Sequence, residues 1–176
     1  MYEPDASLVR AASSGERRAF ERLVRECQGP VRRYLRHLVG DFSRADDLTQ
    51  DVFVKVHARL HTYRFESRFM TWLFRIARNT ALDDQRAEQR RRRREEQAPS
   101  AAAPSADPTV AGEVGLALAS LPAHLREALL LVEVCGFSYA EVGALLQVAE
   151  GTAKSRVHRA REGIARWYAE PKAEEG

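Results

Sequence analysis

Three aspartates in the stretch DDLTQD could bind a divalent cation. Asp46, Asp47 and Asp51 lie at the start of a predicted helix, and the last two are one turn apart and share a face. Two carboxylates placed in this way are suitable ligands for Mg²⁺. Metal binding is therefore the first chemistry that the sequence suggests.

A metal-dependent enzyme would need a second acidic motif and an enclosed cavity. Asn79, Asp83 and Asp84 could supply the motif, as in the all-helical enzymes that act on prenyl diphosphates. However, Gln50 stands where the third aspartate of the first motif would fall, and a small helical module cannot enclose a lipid-sized cavity. We therefore expect no catalytic residue, no metal site and no cofactor.

The acidic cluster has two further interpretations, and the residues alone leave both open. The carboxylates could cap the helix and interact favourably with its positive N-terminal end. They could also form an acidic docking face for a basic partner, with the apolar Val52 and Phe53 beside them.

A second stretch, residues 68–94, carries aromatic and basic side chains on one predicted helix. At 3.6 residues per turn, its apolar members form a core stripe of Phe69, Trp72, Leu73, Ile76 and Thr80. The other side of the helix is polar and mostly basic, and carries Thr71, Arg75, Arg78, Asn79 and Arg86.

The segment TYRFES before this helix places Tyr63 and Phe65 in a predicted loop, with Ser67 able to cap the helix. Cations follow a phosphate backbone, and aromatic rings take unstacked bases. An amide such as that of Asn79 can pair with an exposed base edge. The combination suits a single strand drawn out of a duplex, because a prepared pocket can offset the few kcal/mol that base flipping costs.

The charge of the chain is unevenly distributed. The net charge of +3 divides into +6 over residues 1–97 and −2 over residues 113–176, with Asp107 between them. The basic excess peaks in the five consecutive arginines at 90–94. This asymmetry suggests a polyanion partner, although a solvated arginine tail would give the same pattern.

Composition excludes several classes of protein. Hydrophobic residues make up 44% of the 176, enough for a folded core. No apolar run approaches the roughly 18 residues of a membrane span, and the N-terminus lacks the pattern of a secretion signal. Cys27 and Cys135 have no CxxC spacing, so we expect small buried side chains. We expect a cytoplasmic protein without membrane insertion.

The chain divides into two helical modules. Residues 97–109 hold three prolines and no large apolar side chain, as is typical of a flexible linker. The first module should contain about four helices, with a capping box from Ser13 to Glu16 and a helix that starts or kinks at Pro30. A stripe at four-residue spacing marks the acidic helix, and it consists of Leu48, Val52, Val56 and Leu60.

The second module has the layout of a helix-turn-helix. Pro122 suits a first helical turn, Gly136 a helix end, and Ser138 with Glu141 a capping box for the helix YAEVGALL. The last helix, from Thr152, should turn Val157, Ala160 and Ile164 inward. It then leaves Lys154, Ser155, His158, Arg159 and Arg161 facing outward. Duplex DNA binding and an ordinary amphipathic hairpin both fit this layout.

Two long segments contain these motifs. The segment ADDLTQDVFVKVHARLHTYRFESRFMTWLFRIARNTALDDQR resembles the second conserved region of the extracytoplasmic-function sigma factors of bacterial RNA polymerase. The segment LASLPAHLREALLLVEVCGFSYAEVGALLQVAEGTAKSRVHRARE is similar to their fourth region. The resemblance implies an all-α fold with a region 2 domain at 1–96, a flexible linker at 97–112 and a region 4 helix-turn-helix domain at 113–171. It also implies a non-enzymatic subunit that gives the polymerase its promoter specificity.

The resemblance assigns roles to three sets of residues. Docking on the clamp coiled coil of the largest polymerase subunit falls on Asp46, Asp47, Gln50, Asp51 and Phe53. Melting the −10 element and holding a flipped base falls on Tyr63, Arg64, Phe65, Glu66, Ser67, Arg75, Arg78 and Asn79. Reading the −35 element as duplex falls on Thr152, Lys154, Ser155, Arg156, His158, Arg159 and Arg161.

The implied partners are core RNA polymerase, including the flap of its second-largest subunit, promoter DNA in duplex and melted form, and an anti-sigma factor. The free chain should be a monomer.

Phe65 stands where the family usually has glycine, which predicts a base pocket of different shape. Gly143, Gln147 and Ala153 replace the usual Ala, Gly and Val and predict a looser helix-turn-helix, since glycine within a helix costs about 1 kcal/mol. The rival interpretation is a stand-alone helix-turn-helix regulator that binds duplex DNA without polymerase.

Overall fold

The computed structural model describes residues 2–95 and 112–169. These residues form helices, turns and loops, and no strand occurs among them. They divide into two compact units, one on each side of the predicted linker. The all-α fold class predicted from the sequence is confirmed.

Within residues 2–95, the N-terminal unit consists of four helices. They are α1 (Ala6–Ser13), α2 (Arg17–Val39), α3 (Phe42–Arg59) and α4 (Phe69–Glu95), with a 3₁₀ turn at Leu60–Thr62 after α3. Helix α2 packs against the other three, and α3 packs against α4. The long loop between the 3₁₀ turn and α4 therefore lies at one end of a helix bundle.

The first two helices differ from the sequence prediction. The predicted capping box from Ser13 to Glu16 is wrong, because Ser13 is the last residue of α1 and α2 begins without a side-chain cap at Glu16. Asp5 caps α1 instead, by accepting a hydrogen bond from the backbone N–H of Ser7 at 2.7 Å. Between the helices, Gly15 turns the chain with φ +94°.

The sequence predicts that Pro30 starts or kinks a helix, and the structure shows that no new helix starts there. Helix α2 continues through Pro30 to Val39. A proline here removes one backbone hydrogen bond and crowds the residue before it, but that residue is Gly29, which has no Cβ to clash. The fully buried Cys27 and Val31 continue the core stripe across the proline, so packing holds the helix together.

Large side chains from all three long helices fill the core of this unit. Tyr34 from α2, Val52 from α3, and Phe69 and Phe74 from α4 are almost fully buried, and the rings of Tyr34 and Phe74 are 5.3 Å apart. The stripe predicted on α3 is confirmed, since its four apolar members are buried. Cys27 and Cys135 are both buried, as expected, and burial raises the pKa of the Cys27 thiol to about 12.

The buried surface of α4 extends beyond the core stripe and includes part of the side that was predicted to be polar. The prediction that Thr71 faces outward is wrong, because Thr71 is 4% exposed. The carboxylate of Glu3 accepts hydrogen bonds from the N–H groups of Phe69 at 2.6 Å and Met70 at 3.4 Å. The N-terminal segment thus covers the first turn of α4, and Glu3 makes the capping contacts that the sequence predicted for Ser67.

The described part of the C-terminal unit, residues 112–169, contains four helices. They are α5 (Gly112–Ser120), α6 (Ala123–Leu129), which continues into a π-helical segment (Leu130–Val134), α7 (Tyr139–Leu146) and α8 (Glu150–Ala169). Helix α8 packs against both α6 and α7. Residues 97–111 of the predicted linker lie outside the described residues, and α5 begins at Gly112.

Local signals in this unit are placed as predicted. Pro122 precedes the first residue of α6, and Gly136 ends the π-helical segment with φ +71°. The capping box is confirmed: the carboxylate of Glu141 accepts a hydrogen bond from the backbone N–H of Ser138 at 2.8 Å, and Ser138 Oγ accepts one from the N–H of Glu141 at 3.3 Å. The helix after this box is therefore fixed at its start.

Candidate nucleic-acid interfaces and docking surface

The loop before α4 is organised around Tyr63. Its ring lies 4.7 Å from the ring of Phe65, 5.5 Å from that of Phe69 and 5.3 Å from that of Trp72. Its hydroxyl donates a hydrogen bond to the carbonyl of Ser67 at 2.6 Å. Tyr63 is only 8% exposed, and burial raises the pKa of its phenol. Tyr63 therefore holds the loop in shape and presents its neighbours to solvent.

Phe65 is the exposed aromatic group of this loop. Its side chain is 42% exposed and its backbone has φ +60°, in the left-handed region that favours glycine. Glycine, the residue that the resemblance leads us to expect here, would adopt this backbone conformation without strain. Arg64, Glu66 and Ser67 on either side are also exposed.

The loop continues into a face of α4 through Trp72. Trp72 was predicted as a core residue, but it is only half-buried and contacts Tyr63. At helical spacing it shares a face with Arg75 and Asn79, which are both exposed. A continuous strip thus runs from the ring of Phe65 over Tyr63 and Trp72. It ends at the guanidinium of Arg75 and the amide of Asn79. We call this set of five residues the aromatic–basic strip.

Two other basic residues of α4 lie outside the strip, and of these Arg78 belongs to the set predicted for melted DNA whereas Arg86 does not. Arg78 is half-buried, and Arg86 is exposed and lies 3.6 Å from the carboxylate of Asp83. Further along α4, Arg91 and Arg92 form ion pairs with Glu88 at 2.9 Å. Part of the positive charge in the arginine run is therefore balanced within the helix itself.

Helix α8 presents the predicted duplex-reading residues in two groups. Lys154, Ser155, His158 and Arg159 are exposed, whereas Val157 and Ala160 are fully buried, as the sequence predicted. Ser155 Oγ donates to the carbonyl of Thr152 at 2.9 Å, and His158 Nε2 lies 3.3 Å from a carboxylate oxygen of Glu162. Thr152 and Arg156, which also belong to the predicted set, are half-buried.

Arg161 forms an ion pair with a residue outside α8. Its Nε donates to Glu133 Oε1 at 3.0 Å, and a second guanidinium nitrogen also contacts that oxygen. The hydrogen bond to Glu133 raises the pKa of Arg161 above its usual value. Glu133 lies in the π-helical segment after α6, so this pair connects that segment to α8.

The turn between α7 and α8 explains the unusual residues of the helix-turn-helix. A Cβ at Gly143 would lie 2.8 Å from the carbonyl oxygen of Val148, so the turn approaches α7 too closely for alanine. Gln147 ends α7 with φ +57°, and its N–H donates to the carbonyl of Gly143. Ala153 is fully buried. Gly143 thus permits close packing in this turn.

The predicted docking face lies on α3. Asp47, Gln50 and Asp51 are exposed and Phe53 is half-buried. The apolar side chain that accompanies the acids is Val54, which is 68% exposed. The expectation that Val52 lies beside them on the surface is wrong, because Val52 is fully buried and belongs to the core stripe.

Asp46 is less available than the other acids of this face. Its Oδ1 accepts a hydrogen bond from Arg32 Nε at 2.6 Å and lies 3.3 Å from a guanidinium nitrogen of Arg36. The hydrogen bond from Arg32 lowers the pKa of the Asp46 carboxyl. Asp46 therefore ties α3 to α2.

The aspartates considered for Mg²⁺ do not form a common site. Asp84 accepts a hydrogen bond from Arg44 Nε at 2.7 Å, and this pair joins α3 to α4. Within residues 2–95 and 112–169, no group of three or more His, Cys, Asp or Glu side chains could hold a metal ion. No helix in the same ranges is both long and apolar enough to cross a membrane.

Comparison with known families matches both units. Sigma-70 region 2 matches residues 23–91, and Sigma-70 region 4 matches residues 111–162. The two matches together, on a helix bundle with an aromatic loop and on a helix-turn-helix, define this chain as a sigma subunit of the Sigma-70 type.

Curated relatives specify the subclass. The RNA polymerase sigma-H factor of Pseudomonas aeruginosa is 32% identical over 180 residues, covering 92% of each chain. The ECF RNA polymerase sigma factor SigM of Mycobacterium tuberculosis is 35% identical over 163 residues, covering 92% of this chain and 83% of that one. The chain belongs to the extracytoplasmic-function family of RNA polymerase sigma factors.

Solved structures show the same fold. The sigma factor RpoE of Bartonella quintana, solved with the anti-sigma factor NepR, has a TM-score of 0.73 and 28% identity, covering 87% of this chain and 98% of that one. CnrH, solved with the cytosolic domain of CnrY, has a TM-score of 0.73 and 25% identity, covering 94% of this chain and 97% of that one.

Proposed function

We propose that the N-terminal unit holds an unstacked base of the −10 element on the aromatic–basic strip while docked on core RNA polymerase. The observation that carries this proposal is the continuity of the strip, which joins an exposed ring at Phe65 to the exposed Arg75 and Asn79. Rings can stack on a base, guanidinium groups follow phosphates, and the Asn79 amide can pair with a base edge. Arg64, Glu66, Ser67 and Arg78 surround the strip, and Tyr63 positions the loop.

The second part of the proposal concerns α8. Lys154, Ser155, His158 and Arg159 are exposed on one helix and can enter the major groove of the −35 element. Thr152 and Arg156 border this group, and Arg161 holds α8 in place through Glu133. Base edges and phosphates would then be contacted by different members of the same helix.

The third part concerns docking. The acids and apolar groups of α3 that remain accessible would contact the basic clamp coiled coil of the largest polymerase subunit, and they are Asp47, Gln50, Asp51, Phe53 and Val54. Asp46 would act indirectly, because its hydrogen bond from Arg32 holds α3 against α2. The C-terminal unit would contact the flap of the second-largest subunit.

The chain would therefore work as a non-enzymatic subunit in the bacterial cytoplasm, with no metal or other cofactor. We propose domains at 1–96 and 113–171 with a linker at 97–112. When free, the chain would be a monomer restrained by an anti-sigma factor, since the matched sigma factor RpoE was solved in complex with the anti-sigma factor NepR. Two small recognition units on one chain gain from effective concentration once one of them has bound.

In vitro transcription tests this function directly. The purified chain should bind bacterial core polymerase and direct initiation at defined positions of genomic DNA, which mapping of the RNA 5′ ends will reveal. Duplex binding by the free chain, without any core-dependent transcript, would instead support the stand-alone regulator.

A further inference from the structure

The face of the Phe65 ring is covered by a residue from outside the loop. The guanidinium carbon of Arg10 lies 5.0 Å from the centroid of the Phe65 ring, within the range of a cation–π contact. Arg10 belongs to α1, which lies before the Sigma-70 region 2 match at 23–91. The contact therefore brings a separate helix to the edge of the proposed base pocket.

Helix α1 is held close to this loop at a second point. Ser13 Oγ donates a hydrogen bond to the carbonyl of Leu60 at 3.1 Å, in the 3₁₀ turn that leads into the loop. Arg10 lies nearly one turn before Ser13 and is itself exposed. The backbone of α1 is thus fixed near the loop, while the long Arg10 side chain can move.

Phe65 is placed to receive a planar group. Its left-handed backbone conformation is one that side-chain-bearing residues rarely adopt, and contacts with Tyr63 and Arg10 accompany it. The ring nevertheless remains 42% exposed. A guanidinium and a nucleobase are both planar groups that stack on an aromatic face.

We propose that Arg10 and an unstacked base compete for the same face of Phe65, so that Arg10 is a displaceable cap on the base pocket. This inference rests on the proposed function. When the base arrives, the guanidinium leaves the ring and the base takes its place. Arg10 thereby sets how strongly the pocket binds an extruded nucleotide, and it does so from a helix outside the Sigma-70 region 2 match.

The test uses the chain bound to core polymerase and a promoter fork taken from the mapped start sites. The fork is already melted and carries the fluorescent base 2-aminopurine at the flipped position, so stacking is read as quenching. Arg10→Ala should bind the fork about two- to fivefold more tightly than the unmodified chain, since an exposed cation–π contact no longer competes. Arg18→Ala, which removes the same charge from an exposed site on α2, provides the matched control.

A second pair of variants, made with Phe65 replaced by glycine, distinguishes competition for the Phe65 ring from a general effect of the Arg10 charge. Phe65→Gly keeps a residue suited to the positive φ but removes the ring, and in this background Arg10→Ala should have no effect. Unchanged or weaker binding by Arg10→Ala, relative to Arg18→Ala, would overturn the inference, as would equal tightening with and without the ring. If the unmodified complex failed to bind any fork, the proposed function itself would fail.

Discussion

Arg161 and Glu133 form an ion pair that joins α8 to the π-helical segment after α6, with 3.0 Å between Arg161 Nε and Glu133 Oε1. The pair separates the basic residues of α8 into two kinds. Lys154 and Arg159 are exposed, whereas the Arg161 guanidinium is engaged within the protein. Their substitutions should therefore have different consequences for DNA binding.

Replacing Lys154 and Arg159 together by alanine should weaken binding to the −35 duplex and flatten its salt dependence. Each phosphate contact releases counterions, so losing two contacts should reduce the slope of log K against log salt by about 2. The measurement is fluorescence anisotropy of a labelled duplex with the polymerase-bound chain at several salt concentrations.

Arg161→Gln is the contrast within the same helix. It should reduce affinity because α8 is less firmly held, while the salt slope stays near that of the unmodified chain. An unchanged slope for the double variant would show that Lys154 and Arg159 do not contact phosphate. A slope reduced by Arg161→Gln would show that Arg161 does.

Asn79→Ala should impair promoter opening more than binding to melted DNA that lacks the flipped base. The amide can pair with an exposed base edge, and a good pair of this kind contributes about 1–3 kcal/mol, which is a 5- to 150-fold effect. Opening is followed by permanganate reactivity of thymines in the promoter. Gln89→Ala removes another exposed amide of α4 and should leave opening unchanged. Equal losses on both templates would contradict the role of Asn79.

Charge reversal on α3 should weaken association with core polymerase. Asp47→Lys combined with Asp51→Lys places two cations opposite a basic partner, so we expect at least a roughly tenfold rise in the dissociation constant. Glu16→Lys with Glu21→Lys makes the same change in net charge on the exposed surface of α2. The two double variants are compared by competition for labelled core polymerase, and equal losses would locate the docking face elsewhere.

Gly143→Ala should destabilise the C-terminal unit although alanine favours helices by about 1 kcal/mol. The added Cβ would meet the carbonyl oxygen of Val148 at 2.8 Å, and overpacking of this kind costs about 1–3 kcal/mol. Urea unfolding followed by Trp167 fluorescence, in a Trp72→Phe background, reports this unit. Gly151→Ala has open space around its Cβ and should be neutral or stabilising; a stabilising Gly143→Ala would contradict the close approach.

The ion pairs of Asp46 should make the N-terminal unit sensitive to acid. The hydrogen bond from Arg32 depresses the pKa of Asp46 below its ordinary 3.8, so the unfolded chain binds this proton more readily than the folded one. The stabilisation is complete above the unfolded pKa and is lost as pH falls from about 4 through the lower folded value. Asp46→Asn should reduce this acid-side slope of the unfolding free energy, measured by Trp72 fluorescence in a Trp167→Phe background. Asp83→Asn serves as the control, and a slope unchanged in Asp46→Asn would show that the pair is not a source of the pH dependence.

Local features of the fold could be predicted from the sequence. The capping box of Ser138 and Glu141, the helix end at Gly136 and the inward face of Val157 and Ala160 all depend on residues within one or two turns of each other. Interactions over such distances are set by helix geometry alone. The same geometry places Arg75 and Asn79 on one face of α4, so the alignment of these two of the five strip residues could be anticipated.

Other features depend on contacts between distant segments. Glu3 caps α4 from 66 positions away, and Arg10 covers Phe65 from another helix. Helix packing also explains why α2 continues through Pro30. It likewise explains why Val54, and not the buried Val52, is the exposed valine at the docking face.

The sequence by itself determined most of the helices and of their inward faces, the two-part organisation and the family to which they point, because backbone periodicity and capping act over a few residues. Only the tertiary structure decided which charged groups form ion pairs with another helical segment. Asp46 and Arg161 are paired within the protein, while Asp47 and Arg159 stay exposed. The reason is that a side chain's partner is set by which helix faces meet in the folded core, and a pattern within one helix carries no information about its neighbour.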